Sequence, residues 1–488
     1  MRIESGDIMK IEIKNLGQVK SASFEDAELT VIVGDNGSGK TLLLEATTFI
    51  INFYKIQVKE IMGKLFKKYS NQFDIDADWE NVKEFIEEEL EEELEESHKP
   101  KHKFEMNVRI DEDVLDEMNN DIKKWFEELK KQTINKLNRE ILMVDESKLD
   151  FNLFINPRIP DFTEITCTLT KYDERVYFVE MYLKGSNYSN TFSYVIEFKK
   201  QKFQQRFQSI ESFFIAERKD LFDPINDLKN RLKNQYLFSY FNDIDTYGKI
   251  LYLPSERNLF IDNALTKTLN EAQENIYSSM PKKSKSRYSE HLFNIDYLEY
   301  KDTLSKIGPV NMKIDSNLEE IFGGEINYDE EGDIKSIKQI DGKYIKRELF
   351  STKQNRLIPY LILSNPLERY YKVIIEEPEA HLSLKSIREL LDYFKNLIKS
   401  GTKIIITTHS DVFFSYLNNL ILTDKNLSSS KVYELKFSNG ESILEEKNKT
   451  EFGYKIDLFS NELNNLYEET LDIQNTLEPQ DSFNQNKD

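Results

Sequence analysis

The sequence predicts an α/β fold that is interrupted by a long inserted lobe. Residues 29–33 form a continuous apolar run, and a glycine-rich loop and an apolar helical run at 42–51 follow at once. In residues 372–420, strand-like and helix-like segments alternate, which is typical of a parallel α/β sheet. Between these regions the pattern changes to helices and then to alternating β-branched and aromatic residues, which predicts a separate lobe.

Length and composition indicate a folded chain of more than one unit. The 488 residues exceed the roughly 100–200 of one domain, so two or three packed units are expected. The hydrophobic fraction of 39% and the aromatic fraction of 12% argue against disorder. We assign 1–54 and 245–475 to two parts of one head, 55–244 to the inserted lobe and 476–488 to a disordered tail.

The lobe is predicted to contain two helices and an antiparallel sheet. Apolar residues recur every four positions from Val82 to Leu94 on a strongly acidic body. This pattern favours a solvated helix laid on the lobe over an arm that mimics DNA. A second helix is predicted within 115–141, and strands within 104–110 and 163–199.

Charge, cysteine content and hydropathy limit the possible partners. A net charge of −21 opposes nonspecific binding of nucleic acid. DNA remains a candidate partner, because one basic run is compatible either with a solvated loop or with contact to a phosphate backbone. Its members are Lys282, Lys283, Lys285 and Arg287. The single cysteine, Cys167, suits a reducing cytosol, and no apolar stretch is long enough to span a membrane. We therefore expect a cytoplasmic protein without membrane contact.

The glycine-rich loop is a complete P-loop motif, Gly34-x-x-x-x-Gly39-Lys40-Thr41, between an apolar strand and a helix. In such a loop, backbone amides and the helix N-terminus bind phosphate. Lys40 is predicted to hold the β- and γ-phosphates of ATP, and Thr41 to ligate Mg²⁺. The predicted nucleotide-binding residues here are Gly34, Asp35, Asn36, Gly37, Ser38, Gly39, Lys40 and Thr41.

Two later strands end in chemically active residues. The apolar run at 373–375 ends in Glu376 and Glu377. Because side chains alternate along a strand, we expect Glu376 to face the Mg²⁺ shell and Glu377 to polarise the attacking water. A second apolar run at 404–406 leads to His409, which is predicted to lie on an adjacent strand and reach the γ-phosphate.

These elements, in this order, resemble the ABC-type ATPase fold of the SMC and OLD (overcoming lysogenization defect) families. More narrowly, three motifs resemble bacterial AAA-type ATPases of OLD-like and anti-phage defence systems. They are Glu376-Glu377-Pro378-Glu379-Ala380-His381-Leu382, Tyr252-Leu253-Pro254-Ser255-Glu256-Arg257 and Gly323-Gly324-Glu325-Ile326. The resemblance covers 1–54 and 245–425. It implies a P-loop ATPase head with a mixed sheet, ATP and Mg²⁺ as cofactors, and a homodimer or higher homo-oligomer.

The same resemblance implies a signature loop that meets ATP on the partner subunit. The matching residues are Ser351, Lys353 and Gln354, and Lys353 stands where the family pattern has glycine. A lysine does not allow the close backbone approach of glycine, and Glu376 replaces the commoner aspartate. Slow hydrolysis is therefore expected. No Q-loop residue is assigned.

The resemblance favours a sensor or scaffold ATPase of an anti-phage defence system, similar to the ATPase subunits of PARIS or Septu. Such a subunit acts with a separately encoded nuclease or toxin effector. Only 79 residues follow His409, and they lack the acidic pattern of the Toprim nuclease domain of OLD proteins. Two alternatives remain: an SMC-like DNA repair or recombination ATPase that clamps DNA, and a nuclease of unrecognised type within the lobe.

Overall fold

The computed structural model describes twelve segments of the chain. They are residues 10–87, 99–153, 164–173, 176–184, 189–197, 224–239, 249–255, 287–307, 314, 316–329, 333–365 and 370–477. The basic run at 282–285, Leu90, Leu94, Glu256, Arg257 and most of the predicted tail lie outside these residues.

The chain divides into two compact units. The head unit comprises Asp7–Phe53, Lys130–Phe154 and Tyr247–Asp488, and the lobe unit includes Tyr54–Leu129 and Ile155–Thr246. Residues 130–153, which the sequence analysis placed in the lobe, thus belong to the head unit. The reason is a short strand, Asp150–Leu153, that pairs with Lys10–Leu16 in the head sheet.

A nine-stranded mixed sheet forms the centre of the head unit. Its order is β11-β15-β16-β3-β17-β18-β2-β1-β7, and β11, β15, β16, β3 and β17 run parallel. The strands are β1 (Lys10–Leu16), β2 (Val19–Glu25), β3 (Leu29–Gly34), β7 (Asp150–Leu153), β11 (Lys249–Leu253), β15 (Tyr370–Glu376), β16 (Lys403–Thr408), β17 (Lys431–Ser438) and β18 (Glu441–Glu446). The predicted α/β fold with a mixed sheet is confirmed.

Buried apolar runs explain why the central strands lie inside. All six residues of β3 are buried, and so are the last five of β15. Strands covered on both faces have nearly continuous apolar runs, here broken by the buried Thr30 in β3 and Lys372 and Glu376 in β15, whereas a half-exposed strand alternates. The helix after β15 begins beyond its N-cap, Ser383, whose side chain accepts from the amide of Ser386, and it buries Leu390 and Phe394 against the sheet cluster.

Besides the central sheet, the described residues form helices in both units and two small sheets in the head unit. The helices are α1 (Lys40–Tyr69), α2 (Trp79–Glu87), α3 (Glu112–Glu140), α4 (Pro224–Ser239), α5 (Tyr288–Ile307), α6 (Ser316–Phe322), α7 (Thr352–Leu357), α8 (Leu384–Lys399), α9 (Asp411–Thr423) and α10 (Asp457–Leu477). Short 3-10 helices span Arg347–Leu349, Ile358–Ser364 and Lys425–Leu427. Also in the head unit, β12 (Glu325–Tyr328), β13 (Ile334–Lys338) and β14 (Tyr344–Lys346) form one antiparallel sheet, and β19 (Lys449–Thr450) pairs with β20 (Gly453–Tyr454).

The lobe unit contains the predicted antiparallel sheet, in the order β10-β9-β8-β5. Its strands are β5 (Lys101–Glu105), β8 (Glu164–Asp173), β9 (Val176–Lys184) and β10 (Ser189–Glu197), and β4 (Phe73–Asp76) pairs separately with β6 (Asn107–Ile110). Cys167 is buried on β8, and His102 stacks between Phe85 and Phe104. Within the described part of the chain, no helix is both long and apolar enough to cross a membrane.

Candidate functional site

The P-loop joins β3 to α1 through a turn that needs glycine. Gly37 and Gly39 have φ angles of 76° and 97°, which side chains rarely adopt. A Cβ atom on Gly39 would lie 2.9 Å from Cγ2 of Val19, so the position also lacks space. Asp35, Asn36 and Gly37 are exposed on the outer side of the turn. The helix N-terminus therefore opens onto a tight backbone turn, which is the arrangement that binds phosphate.

Lys40 lies inside this loop. It is 7% exposed, and its Nζ donates hydrogen bonds to the carbonyl oxygens of Gly34 at 2.8 Å and Asp35 at 2.9 Å. Burial lowers the pKa of the Lys40 ammonium group, and nearby carboxylates, Glu377 first, oppose that shift. The cation is thus held at the loop by carbonyl groups and close to the acids that end β15.

Two residues that the sequence analysis missed support the loop, one from β18 and one from the turn between β1 and β2. Ser442 on β18 is fully buried, and its Oγ donates to the carbonyl oxygen of Ser38 at 2.6 Å. The Ser442 amide donates to the carbonyl oxygen of Gln18 at 2.8 Å, and the Gln18 side chain donates to the carbonyl oxygen of Gly37. No local motif marks these residues, because only the pairing of β18 with β2 brings them together.

Glu376 and Thr41, the two predicted magnesium ligands, are in contact. Glu376 ends β15 and is 2% exposed. Its carboxylate accepts hydrogen bonds from the Tyr252 hydroxyl at 2.5 Å, the Ser255 amide at 3.3 Å and the Thr41 hydroxyl. Burial raises the pKa of Glu376, and these hydrogen bonds lower it. The sequence motif included Tyr252 and Ser255 but assigned neither to the nucleotide site; Ser255 was interpreted as a helix N-cap.

Glu377 and His409 also meet at the same sheet edge. Glu376 is opposite Thr407 in the parallel β15–β16 pair, so both strands end at one level. Nδ1 of His409 is 3.0 Å from Oε1 of Glu377. Glu377 has a φ of 45°, and such left-handed backbone costs about 1–3 kcal/mol and concentrates at functional sites.

A third acid, Glu379, lies beside this pair. It is mostly buried, and its Oε1 accepts a hydrogen bond from the hydroxyl of Thr408 at the end of β16. Oε2 is buried without a hydrogen-bond partner among the described residues. Burial raises the pKa of Glu379, while the Thr408 hydrogen bond lowers it. The motif that contains Glu379 suggested no role for it.

The predicted signature residues form the start of α7. Ser351 is its N-cap and makes a capping box with Gln354. The Gln354 side chain is buried and donates to the carbonyl oxygen of Phe322 at 3.0 Å, and Lys353 lies 3.4 Å from a carboxylate oxygen of Glu389. Among the described residues, no hydrogen bond or ion pair joins 351–354 to the P-loop. The structure does link α7 to Glu376 indirectly, because Arg356 donates to the carbonyl of Ser255.

The fold and this edge of the sheet define a P-loop ATPase. Four features meet where the parallel strands end: the glycine-rich turn that binds phosphate, the buried Lys40, the Thr41–Glu376 pair and the Glu377–His409 pair. Residues 7–414 match the family described as AAA ATPase domain, and the chain belongs to that family. No curated protein sequence matches the chain.

Two solved SMC head domains are similar to this chain. The Smc head domain from Pyrococcus furiosus, with an extended coiled coil and bound to the C-terminal domain of ScpA, has 13% identity and a TM-score of 0.32 over 95% of this chain and 99% of that one. The SMC head domain from Thermotoga maritima has 10% identity and a TM-score of 0.30 over 90% and 99%. At these values, neither structure bears on the site or the partners of this chain.

Proposed function

We propose that the chain binds ATP with Mg²⁺, hydrolyses it slowly and works as a cytoplasmic sensor or scaffold subunit of an anti-phage defence system. The observation that carries the ATPase part is the meeting of Lys40, Thr41, Glu376, Glu377 and His409 at one sheet edge. The OLD-like motifs around Glu376 and Tyr252 support the defence part, with a separate nuclease or toxin as effector.

The residues present fit a magnesium nucleotide. Lys40 supplies a buried cation. Oγ of Ser38 is buried and has no hydrogen-bond partner among the described residues, so a phosphate oxygen can accept a hydrogen bond from it. The backbone of Gly34 to Thr41 would hold the phosphates, and Thr41 and Glu376 would hold Mg²⁺. When bound, the ion would neutralise phosphate charge.

Glu377 and His409 would carry the hydrolytic step. A carboxylate that accepts a hydrogen bond from water positions and polarises that water for attack. His409 uses Nδ1 towards Glu377, which fixes its ring and leaves the other ring nitrogen for a γ-phosphate oxygen. Purified chain should therefore turn over ATP in a Mg²⁺-dependent assay, and a chain without measurable turnover under these conditions would contradict the proposed activity.

A second copy would complete the site through its signature residues. The Gln354 side chain is used within its own subunit, by the cap of α7 and by Phe322. Because Gln354 is also buried, whereas Ser351 and Lys353 keep exposed surface, we assign the contact with the partner-bound ATP to Ser351 and Lys353. Ser351 is exposed, and Lys353 is half-buried.

Lys353→Glu should oppose ATP-dependent assembly without changing the ATP affinity of the single subunit. A carboxylate at this position would repel the γ-phosphate bound to the other copy. Lys353→Gly, in contrast, should change turnover or assembly by allowing closer backbone approach. Light scattering with and without ATP, together with ATP turnover, measures both effects.

Lys385→Glu provides the matched control. Lys385 lies 3.6 Å from the same Glu389 carboxylate but is outside the signature segment, and its side chain is strongly exposed. It should assemble like the parent chain. Equal assembly and turnover in parent, Lys353→Glu and Lys353→Gly would mean that this segment never meets nucleotide.

Ser442→Ala should weaken ATP binding about tenfold, because losing the partner of a buried acceptor costs about 1–3 kcal/mol and leaves the loop less well fixed. Calorimetric titration with ATP measures the change, and thermal unfolding reports on the fold. Ser438→Ala, at the exposed end of β17, is the control and should bind normally. A lower unfolding temperature with unchanged affinity would assign Ser442 to stability alone.

A further inference from the structure

Helix α10 is fixed to the head unit at its first turn. Glu434 is 2% exposed and accepts hydrogen bonds from the amides of Leu458 at 2.8 Å and Asp457 at 3.3 Å. Lys447 lies 2.7 Å from the same carboxylate and 2.9 Å from that of Asp457. Phe459 packs on Phe414 with the ring centroids 5.9 Å apart. This buried cap sets the direction in which the helix leaves the unit.

Beyond that turn, α10 presents an apolar stripe to solvent. Every residue from 461 to 474 is exposed. Leu463, Leu466, Tyr467 and Leu471 recur at helical spacing and so share one face, and Tyr467 is 65% exposed. Most helical stability in proteins comes from the packing of an amphipathic face, and beyond its first turn this face of α10 is exposed. The stripe is therefore a surface that gains stability when it is covered.

The charge of α10 restricts what can cover it. The helix carries acidic residues and has no lysine or arginine. Glu462, Glu468 and Glu469 flank the apolar stripe, and Asp472 lies on the opposite face by helical geometry. Two such helices would bring like charges together, which disfavours pairing of α10 with itself. The covering surface should instead combine apolar and basic side chains.

The head unit carries a surface with this chemistry in residues 338–349, which we name the basic hairpin. Ile340, in the turn between β13 and β14, and Tyr344, on β14, are exposed, and Leu349, just beyond them, is 72% exposed. Exposed basic side chains stand among these apolar ones: Lys338, Lys343 and Lys346. Lys338 and Lys343 pair only with exposed carboxylates, and such surface pairs are weak enough to be exchanged for others.

We propose that α10 of one copy docks on the basic hairpin of a second copy. The stripe of Leu463, Leu466 and Tyr467 would cover Ile340, Tyr344 and Leu349, while Glu462 and Glu469 approach the lysines. A single contact of this kind links copies into a ring or a chain, and a reciprocal pair of such contacts closes a two-fold dimer. The contact is separate from the ATP-dependent closure proposed above and needs no nucleotide.

Sedimentation velocity of the full chain without nucleotide, over a concentration series, tests the contact. Leu463→Ser with Leu466→Ser should raise the dissociation constant of self-association at least about tenfold, since burying each leucine contributes about 1.5–3 kcal/mol. Circular dichroism and unfolding temperature establish that the variant is folded. Because Lys40→Ala should assemble like the parent here, failure of this contact and failure of the ATPase proposal are distinguishable.

A charge exchange identifies the surface that α10 meets. Glu462→Lys alone should weaken self-association, and Asp472→Lys, the same reversal of charge on the opposite face, should not. Lys338→Glu with Lys346→Glu should weaken it as well. Combining these two hairpin changes with Glu462→Lys and Glu469→Lys in one chain should restore it, because the opposite charges face each other again.

Three outcomes would overturn the proposal. In the first, the parent chain remains a single copy at all concentrations, and the partner of α10 would then be a different protein. The serine variant could assemble like the parent. The exchanged chain could fail to recover, which would place α10 on another surface of the second copy.

Discussion

The Lys40→Ala chain is expected to lose at least about 30-fold in ATP affinity, because truncating one partner of a buried charge pair costs about 2–5 kcal/mol. The loss should be large here since Lys40 is mostly buried and the nearest other charges are carboxylates. Once the ammonium group of Lys40 is removed, the triphosphate would face Glu376 and Glu377 with no lysine between them. Isothermal titration with ATP and Mg²⁺ measures the effect directly.

Lys399→Ala is the control for this experiment. Lys399 ends α8 and is exposed, so its removal changes the net charge equally but leaves the loop intact. Unchanged ATP affinity in Lys40→Ala would show that this loop does not bind the triphosphate. In cells that also carry the effector gene, Lys40→Ala should abolish any protection against phage, and full protection would refute the proposed coupling of ATP to defence.

Glu377→Gln should stop hydrolysis while ATP still binds. The amide cannot take a proton from water, and losing a general base lowers the rate by about 100- to 10,000-fold. The Gln side chain keeps the size of Glu377 and can still hydrogen bond His409, so the loop geometry should persist. We expect ATP to remain trapped and ATP-dependent assemblies to last longer than in the parent chain.

Rapid-quench turnover and light scattering separate the two parts of this prediction. Glu451→Gln, at an exposed position of the head unit, makes the same chemical change away from the site and should behave like the parent. Parental turnover in Glu377→Gln would assign Glu377 another role. Weaker ATP binding would instead place it in the binding of nucleotide.

The meeting of the P-loop, the two glutamates and His409 at one end of the parallel strands could be predicted from the sequence, because each of these segments has a strong local pattern. The apolar runs before Gly34, Glu376 and His409 form neighbouring strands β3, β15 and β16. Parallel strands covered on both faces have nearly continuous apolar runs, and their carboxyl ends meet at one edge. The convergence of these residues therefore follows from pattern and topology.

The missed features depend on contacts between distant segments. Ser442 and Gln18 act on the P-loop through the β18–β2 pairing, which no short motif encodes. The short strand β7 belongs to the head sheet, but α3 runs without a break from the lobe unit into the head unit, so its helical pattern gives no sign of the change of unit. The helical spacing of the stripe on α10 can be predicted from the sequence. Its exposure cannot, because periodicity does not reveal whether a face is covered.

The position of β3 in the sheet has a consequence for biosynthesis. Its two neighbours are β16 and β17, which begin at Lys403 and Lys431, long after Gly34 has left the ribosome. At about 5–20 residues per second, a nascent β3 waits about 20 to 70 s for its first partner strand. During that time a strand that is apolar except for Thr30 has both edges unpaired, which is the condition that favours aggregation. Folding of this chain should therefore depend on chaperones, and the nucleotide site should appear only after most of the chain has been translated.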